Sequence, residues 1–212
     1  MSARFVSRRI VCWRHGQTEW NAERRFQGHT DVPLNEVGRR QADHAAELLV
    51  RLRPEAIVSS DLSRASATAT ALARRTGLEV SYDKRLRERF GGAWEGLTRA
   101  EIREQWPEHH DRWEIPDGED LQTVGDRVTE AVRRAVADCP ESGTLVVVSH
   151  GAALRAGITQ LLGLAPQSLR MLGPIGNCAW SVLEPRSGGD WCLVEHNAAS
   201  LPEARVLSDD QQ

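Results

Sequence analysis

The chain has 212 residues, of which 40% are apolar, and a formal net charge of -3 at neutral pH. This length and apolar content suit one sizeable α/β core, so we expect residues 1–212 to form a single domain. The charge argues against binding to nucleic acid or to a membrane surface, and the absence of any membrane-length apolar run predicts a cytoplasmic protein.

The first half of the chain alternates between apolar segments typical of strands and segments with helical spacing. Asn35 is expected to cap a helix that reaches about Leu52. Asp61 is expected to cap a second helix, and Gly77 stands where a glycine commonly ends one. The strands of this half are predicted at residues 10–13, 56–60 and 78–82.

The second half begins with a polar stretch. Residues 83–96 carry too many charges and glycines for a core element, which predicts a loop. Thr98 and Glu101 match a capping box that begins a short helix, and residues 109–119 predict an irregular segment. We expect residues of about 89–120 to form a small lid region. Further helices are predicted at residues 121–139 and 152–162, and further strands at residues 144–149, 178–183 and 191–195.

Strands that alternate with helices predict a sheet that helices cover on both faces. We therefore expect a three-layer α/β/α fold with a mostly parallel central sheet flanked by helices. In open sheets of this kind, ligands bind beyond the carboxyl ends of the strands. The functional residues are expected at that edge.

Three predicted strands are followed by residues suited to binding an anion. Arg14 and His15 follow the first strand, Arg64 comes soon after the second, and His150 follows the fourth. A neutral imidazole can attack a phosphoryl group once arginines neutralise its oxygens, so this convergence predicts phosphoryl transfer through a phosphohistidine. The leaving alkoxide then needs a proton, and Glu88, in the loop after the third strand, is our candidate donor.

Four motifs carry these residues: Arg14-His15-Gly16, Ser60-Asp61 with Arg64, Leu86-Arg87-Glu88 before Trp94-Glu95-Gly96, and Ser149-His150-Gly151. Together, in this order, they resemble the histidine phosphatase superfamily, also called phosphoglycerate mutase-like. The resemblance runs from about residue 10 to about residue 197. It implies the phosphoglycerate mutase-like version of the three-layer fold.

The resemblance also implies a role for each candidate residue. His15 is implied to be the phosphorylated nucleophile, and Glu88 the proton donor. The groups implied to hold the transferring phosphoryl group are Arg14, Arg64 and His150. The residues implied to line the substrate pocket are Asn21, Gln27 and Gly151. No metal and no cofactor are implied, because arginines supply the positive charge that a metal would otherwise provide.

The superfamily contains phosphatases and mutases that share these catalytic residues. The segment between Glu88 and His150 is short, and in this it resembles the phosphatase branch. The resemblance implies hydrolysis of a small phosphomonoester of the sugar-phosphate or phosphoglycerate type. A phosphoglycerate mutase is one alternative, and a catalytically inactive, phosphate-binding regulatory protein is another. The expected partner is a small phosphorylated metabolite, and a homodimer is among the assemblies that the sequence allows.

Two features need separate interpretation. Gly91 stands where the family usually has an apolar residue, with Phe90 one position early, so the loop of Glu88 is expected to pack differently. A histidine-rich cluster in the polar stretch has no known metal-ligand spacing and predicts solvated surface. This cluster consists of His109, His110 and Asp111.

Overall fold

The computed structural model describes residues 8–140, 142–186 and 189–201. Its strands are β1 (Arg9–Arg14), β2 (Pro54–Ser59), β3 (Val80–Tyr82), β4 (Thr144–Ser149), β5 (Trp180–Pro185) and β6 (Trp191–Ala198). Its helices are α1 (Glu19–Ala22), α2 (Glu36–Leu49), α3 (Ser63–Thr76), α4 (Arg99–Gln105), α5 (Pro107–Arg112), α6 (Leu121–Asp138) and α7 (Gly151–Leu161). The sequence also predicts a turn at Gly188-Gly189 and a frayed tail from Ser208, and of these Gly188 and the tail lie outside the described residues.

The six strands form one sheet in the order β3-β2-β4-β1-β5-β6. The pairs β3-β2, β2-β4 and β4-β1 are parallel, whereas β5 is antiparallel to both of its neighbours. The predicted mostly parallel sheet is therefore confirmed. Arg14 at the end of β1 pairs with Ser149 at the end of β4, so the residues that follow them, His15 and His150, leave the sheet side by side.

Alternation along the central strands divides the core into two layers. Ile10 and Cys12 of β1 pack with α6 and α7, whereas Val11 and Trp13 pack on the opposite face with α2 and α3. All four side chains are at most 1% exposed. Burial on both faces explains the continuous apolar run in this strand, and it confirms the three-layer α/β/α architecture. Within the described ranges, none of the helices is both long and apolar enough to cross a membrane.

Two predicted helix ends are confirmed and one is wrong. The Asn35 side chain caps α2 by accepting a hydrogen bond from the Gly38 amide at 2.8 Å, and Gly77 ends α3 with a left-handed φ of 74°. Asp61 does not cap α3, because that helix begins two residues later and the Asp61 carboxylate instead accepts both donors of the Arg87 fork. The first turn of α3 is capped by Asp31, which accepts from the Ser63 amide at 2.8 Å.

The predicted lid region contains more regular structure than expected. The capping box at α4 is confirmed, but α5 occupies the start of the segment predicted to be irregular. A proline at the first position of α5 favours helix there, and this short helix has no fully buried residue, so its sequence shows no apolar period. The region has its own apolar cluster, built on Trp94, Ile102 and Ile115.

Candidate active site

The two histidines predicted to act on phosphate lie together at the carboxyl edge of the sheet. The ring centroids of His15 and His150 are 5.1 Å apart, with 59° between the ring planes. His15 is 2% exposed and His150 is fully buried. Parallel pairing of β1 with β4 is what brings residues so distant in the chain into contact.

Hydrogen bonding orients His15 for attack through one ring nitrogen. Its Nδ1 lies 2.7 Å from the Gly16 carbonyl oxygen. Because a carbonyl only accepts, Nδ1 carries the proton and Nε2 keeps its lone pair. Burial, reinforced by the charges of Arg14 and Arg64, holds the pKa of His15 well below its ordinary 6.5. The ring is therefore neutral at neutral pH, as a nucleophile requires.

Arg64 is fully buried, and its guanidinium uses every nitrogen. Nε donates to His150 Nδ1 at 3.2 Å, Nη1 to the Thr30 carbonyl at 2.9 Å, and Nη2 to the Gly28 carbonyl at 2.8 Å. Burial lowers the pKa of Arg64 to about 10, so it remains a cation at neutral pH. It occupies the first turn of α3, where the helix dipole disfavours a cation and a nearby anion would compensate.

The bond from Arg64 fixes the tautomer of His150. Since His150 Nδ1 accepts from Arg64, the proton lies on Nε2, which is 2.9 Å from the hydroxyl oxygen of Ser60. Burial and the neighbouring charge of Arg64 lower the pKa of His150 well below its ordinary value. The second histidine is thus a neutral hydrogen-bond donor at neutral pH.

Arg14, the last residue of β1, has a side-chain donor that the described part of the protein does not use. Its Nη1 donates to the Ile175 carbonyl at 2.7 Å, while its buried Nε has no hydrogen-bond partner among the described residues. A Cβ added to Gly151 would lie 3.5 Å from Arg14 Cζ, so the guanidinium packs against this glycine. A buried and unpaired N–H is costly, and an anion at this position would satisfy it.

The Glu88 carboxylate lies at the start of α7, the helix that His150 precedes. It accepts hydrogen bonds from the amides of Ala152 at 3.2 Å and Ala153 at 2.9 Å, and from its neighbour Arg89 at 2.9 Å. Its negative charge opposes the lowering of the pKa of Arg14. The predicted proton donor is therefore brought to the same edge as the two histidines.

The predicted pocket-lining residues Asn21 and Gln27 are held in place through their side-chain oxygens. Asn21 Oδ1 accepts from the Thr18 amide and from Asn177 Nδ2, both at 3.1 Å, and Gln27 Oε1 accepts from the Thr18 hydroxyl at 3.0 Å. The side-chain amino groups of Asn21 and Gln27 and the Gly151 amide make no hydrogen bond within the described ranges. These three N–H groups are available to a ligand.

Two positioning residues were absent from the predicted site. Asn177 donates to the His15 carbonyl at 3.1 Å and also holds Asn21, while the Thr68 hydroxyl accepts from the Gly16 amide at 3.1 Å. Asn177 lies in a turn before β5, and Thr68 lies on α3. No sequence pattern separates Thr68 from the other residues of its helix.

The unusual Gly91 has a direct structural reason. A Cβ at this position would lie 2.6 Å from the Phe26 ring and 2.7 Å from Cγ of Glu95. The Phe26 ring therefore fills the space next to this loop and leaves no room for a side chain at position 91. The Glu95 carboxylate accepts from the amides of His29 at 2.8 Å and Gly91 at 2.9 Å, which ties the loop to the chain after Phe26.

The histidine-rich cluster of the lid lies on α5. His109 and Asp111 are exposed, as predicted, whereas His110 is half-buried and packs edge-on against Trp113 at 5.9 Å. Within residues 8–140, 142–186 and 189–201, no group of three or more histidine, cysteine or acidic side chains is arranged to hold a metal ion.

We expect the folded state to lose stability below about pH 6.5. The pKa values of His15 and His150 are well below 6.5 in the folded protein and return to about 6.5 on unfolding. Between the folded and the unfolded pKa values, the unfolded chain therefore binds more protons than the folded protein. Each histidine then contributes a slope of up to about 1.4 kcal/mol per pH unit. Urea unfolding of the wild type and His15→Gln in phosphate-free buffers at several pH values measures this slope. A slope that is the same in both proteins would contradict the assignment.

The fold and the site together define a class of protein. Two neutral histidines, two arginines and a glutamate lie together at the carboxyl edge of an α/β sheet, which is an arrangement suited to a histidine-dependent phosphoryl-transfer enzyme. Comparison with known proteins agrees. Residues 10–199 match the model of the histidine phosphatase superfamily (branch 1), and the chain belongs to that family.

The similarity to individual members extends over nearly the whole chain. Glucosyl-3-phosphoglycerate phosphatase of Mycolicibacterium vanbaalenii is 41% identical, covering 94% of this chain and 99% of the relative. Phosphoglycerate mutase-like protein 4 of Arabidopsis thaliana is 39% identical, covering 93% and 89%. The solved structure of mycobacterial glucosyl-3-phosphoglycerate phosphatase in complex with VO3 is 40% identical with a TM-score of 0.86, covering 91% and 100%.

Proposed function

We propose that this protein is a metal-independent phosphatase that hydrolyses a small phosphomonoester through a phosphohistidine on His15. One observation carries the proposal. The imidazole of His15 is neutral, keeps the lone pair of Nε2 for attack, and lies close enough to Arg14 and Arg64 to feel the charges that can neutralise a phosphoryl group. This combination serves nucleophilic attack on phosphorus, whereas simple anion binding needs no tautomer control.

In the first half of the reaction, Nε2 of His15 attacks phosphorus and the bond to the ester oxygen breaks. Arg14 and Arg64 donate hydrogen bonds to the nonbridging oxygens, where charge is greatest, and His150 joins them when its Nε2–H exchanges the Ser60 hydroxyl for a phosphoryl oxygen. The arginine side chains are held by carbonyl groups of the protein before the reaction begins, which is the condition for effective electrostatic stabilisation. Glu88 enters this step in its acid form, which the negative charge of the bound ester favours over the carboxylate, and it gives that proton to the departing alkoxide.

In the second half, water attacks the phosphohistidine and the bond from phosphorus to Nε2 breaks. The Glu88 carboxylate takes the proton of the attacking water, so the glutamate regains its acid form and His15 its neutral form. Inorganic phosphate then leaves. The amino groups of Asn21 and Gln27 and the Gly151 amide are assigned to binding the phosphate oxygens.

The substrate that the relatives favour is glucosyl-3-phosphoglycerate. Relatives that bear this name in two mycobacterial genera are 41% identical to the chain, and a structural neighbour of the same name binds VO3. Three further motifs of the sequence resemble the actinobacterial enzymes of this name. They are Phe26-Gln27-Gly28, Gly176-Asn177 followed by Trp180, and His196-Asn197-Ala198.

The two alternative functions, a phosphoglycerate mutase and a catalytically inactive regulatory protein, receive less support. Relatives whose names contain phosphoglycerate mutase are also similar, at 37–39% identity, whereas relatives at 41% identity bear the phosphatase name. An inactive regulatory protein would have no need for Glu88 or for the oriented nucleophile. The single domain with its lid at about residues 89–120, the homodimer and the cytoplasmic location stay predictions.

A phosphate-release assay tests the proposal. We expect glucosyl-3-phosphoglycerate to be hydrolysed faster than 3-phosphoglycerate, other sugar phosphates and nucleotides, with the same rate before and after treatment with EDTA. Conversion of 3-phosphoglycerate to 2-phosphoglycerate without phosphate release would identify a mutase instead. Loss of activity in EDTA that added metal restores would refute the metal-independent mechanism.

A further inference from the structure

The main chain that carries Glu88 is held by one arginine of α6. Arg127 Nη1 donates to the carbonyl oxygens of Arg85 at 2.7 Å and Arg87 at 2.6 Å, and Nη2 donates to that of Glu88 at 2.8 Å. Three carbonyl groups of a short loop thus converge on a single guanidinium. The loop leading up to the proton donor has little freedom to shift relative to α6.

Glu119, at the end of the lid region, also binds the guanidinium of Arg127. Arg127 Nε donates to Glu119 Oε1 at 2.8 Å, and Nη2 donates to Oε2 at 2.7 Å, which makes a two-bond pair. The side chains are only 17% and 19% exposed. Burial raises the pKa of Glu119, but the bonds from Arg127 and the Phe90 amide outweigh it and keep the pKa below its ordinary value.

Glu119 also fastens the chain just after Glu88. Its Oε2 accepts from the Phe90 amide at 2.8 Å, and its own amide donates to the Phe90 carbonyl at 3.1 Å. Its carbonyl oxygen accepts from Arg89 Nε at 2.6 Å. The proton donor is therefore anchored on both sides in the chain, by Arg127 before it and by Glu119 after it.

We propose that Arg127 and Glu119 are positioning residues that hold Glu88 where it can protonate the leaving group. Neither is assigned a contact with the substrate. The inference rests on the proposed hydrolysis and on Glu88 as proton donor. A catalytic group displaced by about 1 Å can lose roughly a hundredfold in rate, so a network that fixes its main chain has a direct effect on catalysis.

The test compares two esters that depend differently on the proton donor. Arg127→Lys keeps the charge but removes the planar fork that serves several acceptors at once. We expect kcat/KM for glucosyl-3-phosphoglycerate to fall about 10- to 100-fold. For p-nitrophenyl phosphate, whose leaving group scarcely needs a proton, we expect a fall of less than about threefold. A network that only stabilised the fold would lower both rates equally.

Two further variants complete the design. Glu119→Gln should show the same selective loss and decides the question if Arg127→Lys does not fold. Arg9→Lys is the matched control, because Arg9 forms a half-buried two-bond pair with Glu184 at the far end of β1. A fall in kcat/KM that is equal for both esters, or no fall for either, would overturn the positioning role. A selective fall in Arg127→Lys but not in Glu119→Gln would exclude Glu119 from that role. A wild type that releases phosphate from neither ester would overturn the underlying hydrolysis itself.

Discussion

Replacing His15 with alanine is expected to abolish phosphate release, with a fall in kcat of roughly 10⁴-fold or more. The variant lacks the atom that bonds to phosphorus, and nothing else at the site offers an equivalent nucleophile. Of the neighbouring groups, His150 has Nδ1 occupied by Arg64 and a proton on Nε2. Initial rates with glucosyl-3-phosphoglycerate measure the effect.

A histidine far from the site provides the matched control. His44 is exposed on α2, so His44→Ala should retain wild-type turnover. Binding of inorganic phosphate to His15→Ala, measured by calorimetry, shows whether the arginines still hold an anion. Undiminished turnover in His15→Ala would contradict the covalent mechanism.

Glu88→Gln is expected to have the second large effect, and the effect should depend on the leaving group. An amide cannot give up a proton, so an ester with a poor leaving group loses the contribution of general acid catalysis, about 10²- to 10⁴-fold. The rate with p-nitrophenyl phosphate should fall much less, because nitrophenolate departs without protonation. Glutamine keeps the size of the side chain, so the loop should remain in place.

The contrast between the two esters is the informative quantity. Glu104→Gln, at an exposed position on α4, is the control for an ordinary loss of carboxylate charge and should change neither rate. Equal losses for both esters in Glu88→Gln would remove Glu88 from the role of proton donor. The residue would then contribute only to binding or to the structure of α7.

The sheet and its functional edge were predictable because their determinants are local in the sequence. An apolar run that stops at Arg14 and His15 marks both a buried strand and its end. The same pattern occurs at His150, and parallel pairing is enough to bring these strand ends together. The position of Gly77 similarly marks the end of α3, because only a residue that tolerates a left-handed backbone suits it.

The supports of the site were not predictable, because they depend on contacts between distant loops. Arg64 donates hydrogen bonds to the carbonyl oxygens of Gly28 and Thr30, and no pattern of side chains in the sequence predicts these main-chain acceptors. Arg127 occurs among several arginines on the polar side of α6, and only the fold shows that it reaches the loop of Glu88. Asp61 was misassigned as a cap because Arg87, which pairs with it, belongs to a later segment.

His15 is expected to become phosphorylated during each turnover. Rapid mixing of the enzyme with glucosyl-3-phosphoglycerate, an alkaline quench and peptide mass spectrometry would detect the acid-labile phosphohistidine. We predict one phosphoryl group on the peptide that contains His15, formed and lost at rates compatible with kcat. Turnover with no modification of His15, or with the phosphoryl group on His150, would contradict the mechanism.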